Sequence, residues 1–89
     1  MSKKDKTGIG GGGKRLKLGN NIRKFRFERS EMTQQALANE VGVTRLTIHS
    51  IETGKFMPST LLALKIAEFF GKTVEEIFFI EKDESLEGK

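Results

Sequence analysis

The chain has 89 residues, a formal net charge of +4, seven phenylalanines, one histidine and no cysteine. That length holds one domain. The lack of cysteine excludes a disulfide framework and leaves no Cys/His spacing for structural zinc, and nothing approaches the ~18 consecutive apolar residues of a membrane span. The start lacks the apolar core of a secretory signal, so the chain reads as soluble and cytoplasmic; a core built from about 70 residues without a staple predicts help from dimerisation.

Residues 1–17 contain five glycines among charged and small residues with no apolar period, and are expected to form a flexible basic tail. Six basic residues oppose Asp5 there, for a net +5. Residues 18–60 carry six basic and four acidic residues, net +2, and residues 61–89 four basic and seven acidic, net −3. This polarity suits a polyanion bound by the front of the chain with the acidic end turned away, or an ordinary solvated surface. Gly8 to Lys14 matches the G-x-x-x-x-G-K spacing of a phosphate-cradling loop. However, Arg15 follows where Ser or Thr must hold magnesium, and no strand precedes the loop, so it reads as a linker. Lys14, Arg15 and Lys17 also suit a basic arm that follows a nucleic-acid groove.

From Leu18 the pattern becomes helical, with no alternating strand pattern of useful length, which predicts an all-α bundle of five short helices. Asn20 or Asn21 caps a first helix carrying Ile22, Phe25 and Arg26 and ending near Arg29 and Ser30. Thr33 caps a second, Gln34 to Glu40, with Leu37, Ala38 and Val41 buried and Gly42 as its left-handed stop. Thr44 caps a third through Thr53, stopped by Gly54. Ser59 opens a fourth whose Leu62, Leu64, Ile66, Ala67, Phe69 and Phe70 lie nearly all round it, as for a helix packed in the middle. Thr73 caps a fifth, with Glu75 and Glu76 at its positive end and Val74, Ile77 and Phe78 as its apolar members. The domain is expected over residues 18–80, with an acidic tail over 81–89.

Gln34 to Thr53 has the layout of two helices meeting at a tight turn: Ala38 allows close approach, Gly42 turns the chain, and Val43, Ile48 and Ile51 lock the second helix onto the first. At 100° per residue, Thr44, Ile51 and Glu52 fall on the Ile48 side, while Leu46, His49, Ser50 and Thr53 fall opposite and Arg45 lies at the flank. That outer face is mostly hydrogen-bonding residues suited to base edges, and Leu46 suits a thymine methyl group or another apolar surface. His49 suits a DNA contact or plain solvation.

Arg26, Thr33-Gln34, Leu37-Ala38, Gly42-Val43-Thr44-Arg45, Thr47-Ile48, Ile51-Glu52-Thr53-Gly54-Lys55, Pro58-Ser59, Leu62-Ala63-Leu64 and Glu75-Glu76-Ile77-Phe78 together resemble the phage-repressor type of helix-turn-helix regulator, the Cro/cI or XRE-like family. The resemblance runs from Leu18 to about Phe79. It implies that Gln34 contacts a phosphate at the start of the second helix and that Arg45, Leu46 and Ser50 read bases. Thr44 and His49 lie beside them, while Lys55 and the Phe56 amide grip phosphate after the recognition helix. It also implies an Arg26–Glu52 pair beneath the surface, acting as scaffold. The partner is then double-stranded DNA, and the function regulation of transcription, as a repressor on a palindromic operator. An antitoxin-like module with secondary DNA binding is the alternative.

A single histidine leaves no metal cluster or nucleophile and base set, so neither catalysis nor a cofactor is expected, and no small-molecule substrate is evident. Ile77, Phe78, Phe79 and Ile80 form an apolar run too wide for one helix face. They are the expected homodimer surface, by packing of fifth helices or by pairing of an extended segment near Phe79 to Glu81 with its symmetry mate.

Overall fold

A computed structural model describes residues 16–82. Its elements, in order, are strand β1 (Leu16–Asn20), helices α1 (Ile22–Glu28), α2 (Gln34–Val41), α3 (Arg45–Glu52), α4 (Thr60–Phe70) and α5 (Val74–Ile77), and strand β2 (Phe78–Lys82). The five helices stand where the apolar spacing puts them. Gly8 to Arg15, with the loop-like glycine run and most of the basic arm, lies outside the described residues.

Local side-chain chemistry sets the helix starts. The Thr33, Thr44, Ser59 and Thr73 hydroxyls accept hydrogen bonds from the amides of Ala36, Thr47, Leu62 and Glu76, each satisfying a donor that has no partner within its own helix. At α5 the bond is reciprocal, because the Glu76 carboxylate accepts from the Thr73 amide at 2.8 Å. At the end of α2, Gly42 takes φ +81°, and the Ala38 carbonyl accepts from the amides of Gly42 (2.8 Å) and Val43 (3.0 Å). The α1 start differs from a simple cap. Asn21 occupies the cap position without a side-chain cap bond, and it is the Asn20 side-chain oxygen that accepts from the Ile22 amide, at 3.2 Å.

Each helix gives at least one residue to a single core: Ile22 from α1, Leu37 and Ala38 from α2, Ile48 from α3, Ile66 from α4 and Ile77 from α5 have no exposed surface. Phe25 and Phe70 close one side, with ring centroids 5.9 Å apart. Burying an isoleucine-sized side chain stabilises by about 1.5–3 kcal/mol, so the leucine and the four isoleucines among these carry much of the fold. α4 corrects the reading of a helix covered all round: Leu61 and Leu64 are 66% and 51% exposed.

The two-stranded sheet is what the sequence pattern did not announce. β1 and β2 pair antiparallel, with Leu16 opposite Lys82, Lys17 opposite Glu81, Leu18 opposite Ile80, Gly19 opposite Phe79 and Asn20 opposite Phe78. β1 thus includes the last two residues of the expected tail, and β2 extends past residue 80. Lys17 is a strand residue 3.9 Å from Glu81 across the ladder, not part of a free arm. Gly19 is required there, because a Cβ would run into the Phe79 ring. Beside the sheet, the Asn21 amide donates to the Ile77 carbonyl at 2.8 Å and its side chain to the Glu76 carbonyl at 3.0 Å, tying α1 to α5.

The expected dimer surface is corrected by the same arrangement. Ile77 and Phe78 lie in the protomer's own core, 0% and 7% exposed, Phe79 is half-buried, and Ile80 alone of the four is open, at 69%. The extended segment exists, but its partner is β1 of the same chain. The run looked too wide for one helix face because the backbone leaves the helix at Phe78, which has φ −118° and ψ 139°.

Candidate nucleic-acid interface

α3 has an inner face of Ile48 and Ile51, both buried, with the half-buried Val43 packed against the core ahead of it. Beneath it runs a buried ion pair. Arg26 Nε donates to Glu52 Oε2 at 2.7 Å and Arg26 Nη2 to Oε1 at 3.1 Å, with both side chains 7% exposed. The guanidinium also donates to the Met32 carbonyl at 2.6 Å, and the Arg26 carbonyl accepts from the Arg29 and Met32 amides. One arginine thereby fixes α3 against α1 and holds the α1–α2 turn, in which Ser30 and Glu31 take φ near +60° without being glycine. The expected scaffold pair is present in bidentate form.

The predicted site residues fall mostly on one surface. Arg45, Leu46 and His49 are exposed along the outer side of α3, with Ser50 half-buried beside them. Leu46 is 63% exposed. Thr44 is exposed, but its hydroxyl is engaged by the helix cap and lies 3.0 Å from that of Thr47. Gln34 opens α2 next to them: its side-chain nitrogen lies 3.1 Å from Glu52 Oε1 and 3.4 Å from His49 Nδ1, and its oxygen accepts from Arg45 Nη1 at 3.5 Å. Lys55 is exposed in the following loop. The Phe56 amide, expected to face an anion, instead donates to the Ser50 carbonyl at 3.2 Å, alongside the Lys55 amide at 2.9 Å.

Two neighbouring side chains escaped the sequence reading, which had named only the amide of Phe56. The half-exposed Phe56 ring, with Leu46, Thr47 and Ser50, lines a shallow depression on the outer side of α3. This gives the exposed leucine the apolar company it needs. Arg23, on the first turn of α1, faces a groove shared with Asn20, Gln34, His49 and Thr53, adding a cation at the edge of the surface. Helical spacing on α1 puts Arg23 away from the Ile22 face, which was the only sequence signal for it. Among the described residues, no three His, Cys, Asp or Glu side chains are grouped to hold a metal, and no helix is long and apolar enough to cross a membrane.

This geometry defines a class: two helices locked at a tight turn, the second presenting a polar outer row above a buried ion pair. A helix-turn-helix family model matches residues 22–77. Over 53 residues the chain is 55% identical to an uncharacterized HTH-type transcriptional regulator of Methanocaldococcus jannaschii, covering 60% of this chain and 80% of that one. Another such regulator, of Archaeoglobus fulgidus, is 48% identical over 68 residues, 76% of this chain and 94% of its own. The control protein C.MunI of Mycoplasma sp. is 33% identical over 70 residues, 78% and 95% of the two chains. The chain belongs to the helix-turn-helix family of transcriptional regulators.

Proposed function

We propose that this protein is a sequence-specific DNA-binding repressor that reads the major groove with the outer face of α3 and occupies a palindromic operator as a homodimer. The observation that carries the proposal is the row Arg45, Leu46, His49 and Ser50, held on one exposed face by a buried ion pair and two buried isoleucines. A rigid helix with mixed donors, a hydroxyl and an apolar side chain matches the varied edges of the major groove. Arg45 suits a guanine edge, Leu46 with Phe56 a thymine methyl group, and Lys55 a phosphate. Thr44 and Gln34 border the row.

A dimer must draw on apolar surface that the protomer leaves open. Around α4 that is Met57, Leu61 and Leu64, and at the sheet it is Ile80. The alternative, an antitoxin-like partner module, competes for this same surface. A twofold pair would face half-sites roughly 34 Å apart.

Selection of bound duplexes from a random oligonucleotide pool tests the reading. A single palindrome is expected, with preference for it persisting as salt rises while affinity for random DNA falls. If no preferred sequence emerges, the regulator reading fails and the partner module gains. On the selected site, Arg45→Ala is expected to cost about 1–3 kcal/mol and to relax preference at one base pair. Unchanged affinity and preference would remove Arg45 from the readout.

A further inference from the structure

We propose that the buried Glu52 carboxylate, acting through the Gln34 amide, sets His49 to present a hydrogen-bond donor to the duplex. Gln34 then serves as a positioning residue and His49 as a reader of acceptor atoms on base edges. The inference rests on the base-reading role given to α3 above.

The relay starts at the ion pair. A carboxylate bonded to a guanidinium carries no hydrogen and can only accept. The Gln34 group 3.1 Å from Glu52 Oε1 must therefore be its NH2, which fixes an amide orientation that shape alone leaves ambiguous. The same nitrogen lies 3.4 Å from His49 Nδ1, within reach of its second hydrogen. Nδ1 has to be the unprotonated nitrogen to accept it, so the ring proton sits on Nε2, on the edge turned away from Gln34. The same orientation points the Gln34 oxygen at Arg45 Nη1, 3.5 Å away.

The consequence is a surface with a defined polarity. Arg45 and His49 both offer donors, which match guanine O6 and N7, adenine N7 and thymine O4, and oppose the amino group of cytosine. Both Gln34 amide hydrogens are occupied, by Glu52 and by His49, leaving none for a phosphate. Gln34 thus departs from the side-chain phosphate contact that the family resemblance implies. A phosphate contact would affect every sequence alike, whereas a positioning role affects one base pair.

The chain holds a single histidine, so its ring nitrogens can be followed without ambiguity in the ¹⁵N-labelled full-length protein. With the imidazole neutral, wild type is expected to show the Nε2-protonated tautomer almost alone, and Gln34→Met a mixture. The variant keeps the Arg26–Glu52 pair, and its thermal melt reports whether it is folded. In duplex selections, His49→Ala is expected to lose preference at one base pair, and Gln34→Met to lower preference at that same pair about fivefold.

An unaltered tautomer ratio in Gln34→Met overturns the proposal. So does a loss of affinity spread evenly over all sequences, which would restore Gln34 as a phosphate contact. If wild type selects no sequence, the base-reading role of α3 falls and this inference with it; if wild type selects one and Gln34→Met leaves the profile unchanged, only the relay falls.

Discussion

The helix-turn-helix and the terminal sheet are built by different means. α2 and α3 are joined by a turn of three residues, start on their own threonine caps, and meet through residues at most about twenty positions apart. β1 and β2 are five residues each, drawn from opposite ends of the described chain. The first region specifies itself locally, and the second exists only when everything between its strands has folded. Its pairing also has to offset the entropy of closing that long loop. α2 and α3 therefore set their ends and their crossing from nearby residues, while the Arg26–Glu52 pair ties α3 to α1 from farther along the chain.

The largest effect is expected at the joint between α1 and α3. Arg26→Met leaves Glu52 buried without its cation and is expected to cost about 3–5 kcal/mol, seen as a large drop in Tm. DNA affinity of the folded fraction should hardly change; intact stability with lost affinity would mean that Arg26 is a contact rather than scaffold. Gly19→Val attacks the other region. The new side chain strikes the Phe79 ring, and overpacking of this kind costs about 1–3 kcal/mol. Hydrogen exchange should accelerate in β1 and β2 while α2 and α3 keep their protection, and uniform loss of protection would show that the two regions are not separable.

The smallest effect is expected at Glu76. The Thr73 backbone amide bond holds its carboxyl below the ordinary carboxylate value, opposed by desolvation and helped by the Thr73 hydroxyl and Lys72. A depressed value contributes stability above the unfolded-state value and loses it as pH falls through the folded-state value. Tm of wild type should therefore fall more steeply into acid than that of Glu76→Gln, and parallel curves would show that the charge at the start of α5 is immaterial.

What was legible in the sequence follows the same division. Caps at Thr33, Thr44, Ser59 and Thr73, the stop at Gly42, and the inner and outer sides of α3 are local consequences of residue type and period. The Arg26–Glu52 pair came from family resemblance, since spacing alone does not bring α1 and α3 together. β1 was illegible because LKLGN has too few residues to show an alternation, and its partner lies beyond all five helices. Ile77 to Ile80 was misleading for a related reason: one apolar run spans the end of a helix and the start of a strand, each with its own period. On α3, helical angle placed Leu46, His49 and Ser50 on the outer side and Arg45 at its flank. It missed Phe56, which reaches α3 from the following loop, and the Gln34 relay, which requires two helices already in place.

The pairing of Lys17 with Glu81 bears on the molecule's field as well as its fold. As an exposed ion pair it adds little stability. Read along the sequence, charge runs from a positive beginning to a negative end, as though the protein were a dipole with its acidic pole held away from DNA. The sheet sets one cation of the first segment beside one anion of the last, Lys17 against Glu81, where the two screen each other. Among the described residues, Arg23, Arg45 and Lys55 are the cations beside the outer face of α3, apart from that screened pair.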